Sequence, residues 1–157
     1  MTVRVQQDDF DVGREIELLT RAVGATHPGE VGGIASFIGV VRRGPGDSAI
    51  ESMTLEHYPA MTEKELVRIE AEARARWPIA GSLIIHRYGR LVPGDRIVLV
   101  VTASAHRQAA FEACEFLVDW LKTKAPFWKN EESAAGPRWV AAQASDDAAA
   151  QRWSKDK

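Results

Sequence analysis

The sequence predicts an α+β fold, a mostly antiparallel sheet with two long helices packed on it. Two segments, 62–77 and 107–124, repeat apolar residues at helical spacing. Four others, 29–41, 50–57, 82–90 and 96–104, are rich in β-branched and small residues and are bounded by turn chemistry. Pro93-Gly94-Asp95 joins the last two as a hairpin connection, which makes neighbouring strands antiparallel.

The elements follow in chain order. Residues 11–19 read as a short helix that Asp11 caps and Gly24 stops. In the strand 29–41, Gly32-Gly33 marks a candidate bulge. Residues 43–48, Arg-Gly-Pro-Gly-Asp-Ser, form a loop before the strand 50–57, which Pro59 breaks. Thr62 and Glu65 have the spacing of a capping box, and Leu66, Ile69, Ala73 and Trp77 form the buried stripe of the helix that Pro78 ends. The second long helix carries Phe111, Cys114, Val118 and Leu121 as its stripe and must exit at Pro126. Residues 127–130 and 138–143 look extended, and 146–153 form a terminal helical turn or two.

Composition narrows the function. The 157 residues suit one domain, 1–157, and 45% are hydrophobic, enough for a core. The net charge of −2 argues against a non-specific nucleic-acid binder. The N-terminus lacks an apolar signal core, and the longest apolar stretch, 97–103, is too short for a bilayer, so a cytoplasmic chain without membrane attachment is expected. Cys114 is the single cysteine, and its place on an apolar stripe makes it a buried structural thiol. No spacing of His or Cys implies a metal, and neither a phosphate-binding P-loop nor a serine-hydrolase elbow is present.

Three basic constellations are candidates for chemistry. Ser104-Ala105-His106-Arg107 stands where a strand hands over to a helix, where free N–H groups and a forked guanidinium attract anions; a capped helix with a solvated arginine is the plainer reading. Lys122 ends that helix and complements its dipole, while Lys129 lies beyond Pro126 after Phe127-Trp128. The pair can meet only if the chain reverses near Pro126, and a dry aromatic lining would then lower a lysine pKa into a useful range. Arg42 and Arg43, beside Gly44 and Gly46, either clamp a phosphate or edge a solvated loop. Glu56-His57-Tyr58-Pro59 reads as a structural strand end.

Three segments, T-L-E-H-Y-P-A-M-T (54–62), S-A-H-R (104–107) and L-K-T-K-A-P-F-W-K (121–129), in this order and spacing, resemble the large subunit of molybdopterin synthase. The likeness runs from about Asp11 to Trp153. It implies an α/β hammerhead fold and a sulfurtransferase reaction, in which cyclic pyranopterin monophosphate receives two sulfurs to become molybdopterin. The implied partners are a ubiquitin-like small subunit ending in a Gly-Gly thiocarboxylate and a second copy of the chain, as a homodimer at the core of a heterotetramer. No cofactor is implied. By position, the resemblance makes Lys122 and Lys129 catalytic. It places the pterin substrate against Val40, Val41, Arg42, His106, Arg107, Asn130 and Glu131. The chain departs from the family at Asn130, where a second basic residue is common.

His106 and Lys122 lie sixteen residues apart on one helix, about 24 Å at the usual rise. A single small pterin does not span that, so His106 and Arg107 are expected to serve a site on a second copy. Two other functions use the same features: a phosphate-ester hydrolase with the same basic pocket, and a non-enzymatic docking module for a ubiquitin-like protein.

Overall fold

Leu83-Ile84-Ile85 and Val98-Leu99-Val100-Val101 are apolar at consecutive positions, so the strands that hold them need cover on both faces. The computed structural model describes residues 2–46, 49–140 and 144–154. The chain runs β1 (Val3–Gln6), α1 (Val12–Thr26), β2 (Gly33–Val40), β3 (Ile50–His57), α2 (Pro59–Arg76), β4 (Ile79–Arg87), β5 (Gly89–Leu91), β6 (Arg96–Ser104), α3 (Arg107–Thr123), β7 (Phe127–Ser133), β8 (Gly136–Val140) and α4 (Ala144–Gln151), then a 3-10 turn at Arg152–Ser154. The first sheet has the order β1-β4-β6-β2, antiparallel except where β1 pairs with β4. The second, β5-β3-β7-β8, is antiparallel throughout.

Strand alternation sorts the core. On β4 and β6, Leu83, Ile85, Leu99 and Val101 face α1 and pack with Phe10, Ile16 and Leu19. The intervening Ile84, Val98 and Val100 face the other way, into Leu66, Ile69, Ala73, Phe116 and Leu117 of α2 and α3. Burying each such side chain contributes roughly 1.5–3 kcal/mol. A third cluster, Val41, Ile50, Met53, Leu55 and Leu91 with Ile97 and Phe127, ties the second sheet to the first.

The α+β layout, the strands 50–57 and 96–104 and both long helices agree with the sequence reading; several details differ for identifiable reasons. β1, not singled out in the sequence, alternates Val3 and Val5 with Arg4 and Gln6 over only four residues, and it completes the sheet edge with Val3 buried. Asp11 caps α1, its Oδ1 accepting from the Arg14 N–H at 2.9 Å, but the helix passes through Gly24 to end at His27. The β2 irregularity falls at Gly39–Val40 rather than Gly32-Gly33.

α2 begins at Pro59, which fits the first helical position, so Thr62 is inside the helix and not its cap. Its buried hydroxyl donates to the Tyr58 carbonyl at 2.9 Å and meets His57 Nδ1 at 3.0 Å. A hydroxyl has one proton, so His57 Nδ1 is the donor there. The segment 82–90 divides: Gly89, at φ 88°, turns the chain out of the first sheet into β5 of the second. β4 and β6 still pair antiparallel, but the link between them crosses sheets instead of closing a hairpin. On α3, Phe111 is 63% exposed, and Ala109, Ala110, Ala113, Phe116 and Leu117 join Cys114 in the core. Of the extended segment expected at 138–143, residues 141–143 lie outside the described residues. No described helix is long and apolar enough to cross a membrane.

The α3 N-terminus is held against Gly32, whose N–H donates to the Ser104 carbonyl at 3.0 Å and whose missing Cβ would overlap the Ala105 carbonyl. Gly32→Ala should therefore lower stability by about 1–3 kcal/mol. Gly24→Ala, in α1 with open space around it, should raise stability by up to about 1 kcal/mol. Denaturant midpoints check both, and equal effects would overturn the steric account.

Candidate active site

The L-K-T-K-A-P-F-W-K segment makes the site by reversing. α3 closes with the Lys124 N–H on the Trp120 carbonyl, and Pro126 then prevents any further turn. The Phe127 N–H donates back to the Ala125 carbonyl at 2.8 Å, and the chain leaves as β7, antiparallel to β3, with Leu55 opposite Lys129. Alternation then points Phe127, Lys129 and Glu131 to one face and Trp128 and Asn130 to the other. The reversal brings Lys129 back beside Lys122.

Both lysines line a cavity of about 450 Å³ with Val40, Val41, Arg42, Glu131 and Asp146. Its apolar wall comes from Ile50, Met53, Ile97 and Phe127. The irregularity at Gly39–Val40 resets strand alternation just before Val40, Val41 and Arg42 enter the lining. Val41 is fixed by backbone bonds with Asp95 and Gly94. Asp146 arrives on α4, whose end is anchored by Trp153: its ring packs on Trp77 and Phe116, and its Nε1–H donates to Asp119 at 2.7 Å. A second, deeper cavity of about 200 Å³ shares Val40, Lys122, Phe127 and Lys129 and is closed by Phe37, Leu55, Val118, Leu121 and His86.

The electrostatics are those of cations gathered in a partly dry place. Neither lysine has an ion-pair partner among the described residues; Glu131 pairs with Arg138 instead. Burial lowers the Lys129 pKa, and the Lys122 charge lowers it further, against Asp146 and Glu131. His86 is held down to about 4 by burial, with Lys129, Lys122 and His57 adding to the effect and the Arg87 carbonyl opposing it. Its ring stacks on Phe127 at 3.8 Å, and Phe127 in turn neighbours His57. Cys114 is buried, and its thiol is pushed up to about 11 by that burial, which fits an inert core group.

The structure separates the remaining candidates from this cavity. His106 caps α3 with its backbone and lies exposed, with Arg107, at the helix end remote from Lys122. Asn130 faces away from the lysines, and its Oδ1 is buried without a hydrogen-bond partner. Trp128 also points away and meets Tyr58 edge-on, so of the two adjacent aromatics Phe127 alone lines the pocket. The sequence reading missed His86, Met53, Ile97 and Asp146. For His86 a signal exists: one ionisable residue ends an apolar run that must be covered on both faces. Asp146 gave none, because its place depends on how α4 docks.

Comparison with known proteins gives a consistent result. A protein-family model described as MoaE protein matches residues 5–124. The molybdopterin synthase catalytic subunit of Pseudomonas aeruginosa is 53% identical over 155 residues, covering 99% of this chain and all of the relative. That of Ralstonia nicotianae is 51% identical over 152 residues, covering 97% of this chain and 84% of the relative. Among solved structures, the molybdopterin biosynthesis MoaE protein from Burkholderia ambifaria MC40-6 superimposes with a TM-score of 0.79 at 49% identity, covering 98% of this chain and 97% of that one.

A neutral, buried His86 has a consequence for stability. Its folded pKa, about 4, is below the ordinary histidine value of 6.5. Between those values the unfolded chain binds the proton and the folded chain does not. Stability from this group is thus complete above pH 6.5 and falls as pH drops toward 4, by on the order of 3 kcal/mol. His86→Gln should flatten the dependence of unfolding free energy on pH in that window. An unchanged slope would show that His86 takes up a proton freely in the folded chain.

Proposed function

The chain belongs to the MoaE protein family, and on that premise we propose that it is the catalytic subunit of a molybdopterin synthase. In this reading it transfers two sulfurs from the thiocarboxylated end of a ubiquitin-like small subunit to cyclic pyranopterin monophosphate, acting in the cytoplasm. The observation that carries the proposal is the meeting of Lys122, Lys129 and Arg42 in one partly enclosed cavity.

The chemistry asks for such a place. A cyclic phosphate is an anion, and Arg42 offers it a fixed fork of donors. Sulfur attack and opening of the ring build negative charge on leaving oxygens. Ammonium groups already in position stabilise that charge without reorganising, and one of them supplies a proton. Lys129, with its pKa lowered by burial and by Lys122, is closer to the condition in which it gives up a proton near neutral pH. Lys122, on the same wall, suits the carboxylate end that the small subunit presents. Val40 and Val41 supply the neighbouring backbone, and Glu131 restrains the excess of positive charge.

His106 and Arg107 enter through a second copy. They lie at the exposed far end of α3, and in this reading they reach the cavity of a partner related by a two-fold axis, completing a composite site with Lys122, Lys129 and Arg42 of the other chain. Asn130, on the opposite face of β7 from the lysines, belongs in this scheme to the rim rather than the reacting centre.

The test is dithiolene formation from cyclic pyranopterin monophosphate, with and without thiocarboxylated small subunit. Formation should require the small subunit, and Lys122→Ala or Lys129→Ala should lower the rate by about 10²-fold or more. Mixed dimers of Lys122→Ala and His106→Ala chains should regain part of the activity, because one of their two composite sites is intact. Normal turnover by the Lys122→Ala, Lys129→Ala double variant would defeat the assignment, and absence of rescue in mixed dimers would defeat the shared site.

A further inference from the structure

His86 has no part in the chemistry described so far, yet it stands beneath both lysines. It is on β4 with the parity of Ile84, so it faces the α3 layer. It lines the deeper cavity together with Lys122, Phe127 and Lys129. Two contacts fix the ring. Phe127 lies parallel to it, 3.8 Å away with 16° between the planes. His86 Nδ1 is 2.8 Å from the Arg87 carbonyl oxygen.

A carbonyl oxygen only accepts, so Nδ1 carries the hydrogen and the neutral ring keeps its lone pair on Nε2. That atom has no hydrogen-bond partner among the described residues, and its ring belongs to the lining of the deeper cavity. Lys129 is two residues along β7 from Phe127 and points to the same face. One strand repeat is about 7 Å, within reach of a lysine side chain leaning toward the ring. Of the charges that act on His86, Lys129 acts most strongly, ahead of Lys122 and His57.

We propose that His86 is a positioning residue for Lys129: its Nε2 lone pair accepts a hydrogen bond from the Lys129 ammonium, directly or through one water, and so holds the ammonium with its two remaining N–H groups aimed into the cavity. The proposal rests on the assignment of Lys129 to sulfur transfer for its functional meaning, though the contact itself does not. The other groups facing this point are Lys122 from α3, Glu131 from β7, Asp146 from α4, His57 from β3 and Arg42 beyond β2. Lys122 disfavours a second charge there, Glu131 and Asp146 favour it, and burial depresses the His57 pKa. A neutral acceptor adds something none of these offers. It binds the ammonium in preference to the free amine without introducing a countercharge that would repel an anionic substrate.

The experiment is a side-chain NMR titration of Lys129 in the full chain, assigned with Lys129→Ala, for the natural sequence and for His86→Phe, His86→Asn and His86→Gln. Phenylalanine removes the acceptor. Asparagine still reaches the Arg87 carbonyl but stops short of Nε2, whereas glutamine places an amide oxygen near it. The Phe and Asn variants should lower the Lys129 midpoint by about one pH unit, and the Gln variant should leave it in place. The alkaline limb of the sulfur-transfer rate should move with it. A midpoint that stays put in the Asn variant, or that falls equally in Asn and Gln, overturns the proposal; should the Phe variant not fold, those two decide. A Lys129→Ala chain that transfers sulfur normally would overturn the functional assignment alone. An unmoved titration with an inactive Lys129→Ala chain would overturn only the role of His86.

Discussion

Two ammonium groups and a guanidinium share one half-enclosed cavity, and no carboxylate among the described residues is bonded to either lysine. Such a gathering costs free energy in the resting chain. Burial strips water from Lys129, and Lys122 repels it. The scaffold around the cavity must therefore be stiff enough that the charges do not swing out to solvent. Lys122 is at the last turn of a helix whose inner face is buried against the first sheet, and Lys129 is in the middle of a strand bonded on both edges. Neither backbone has freedom to relieve the repulsion.

The two sheets are arranged so that this happens at their junction. Gly89 passes the chain from the first to the second, and β7 returns from α3 to pair with β3. Ile97 on β6, Phe127 on β7 and Met53 on β3 form a shared apolar floor. An apolar floor beneath cations lowers the local dielectric response, so each charge acts more strongly on an anion that enters. Among the described residues, the carboxylates in the lining are those of Glu131 and Asp146.

How much of this was legible in the sequence follows from the range of the interactions involved. Strand 96–104 and the helix from Pro59 to Arg76 are written in local patterns, and only their ends shifted, as when Pro59 displaced Thr62 from the cap. The need for a reversal was readable at Pro126, because a proline after Lys122 forbids one continuous helix. What could not be read was any feature set by the meeting of distant segments. The split of 82–90 into β4 and β5 depends on β3 and β7 offering a second sheet. Phe111 has the spacing of a core residue but lies on a side of α3 left exposed among the described residues. The direction of Asn130 follows from which face of β7 meets the floor, and a run of seven strand residues does not announce that.

The length of α3 gives the last step. A shorter helix would bring Arg107 close to Lys122 on one chain, and its charge would then weigh on the same cavity as the lysines. With α3 17 residues long, from Arg107 to Thr123, Arg107 and Lys122 are kept well beyond a Debye length at physiological ionic strength. Each chain alone then holds a moderate excess of positive charge at either end, and folding need not overcome the sum. In the composite site proposed above, the full set would assemble only when a second copy brings its α3 N-terminus to the cavity, where the anionic substrate would neutralise it. Distributing the cations in this way lets binding, rather than folding, oppose most of their repulsion.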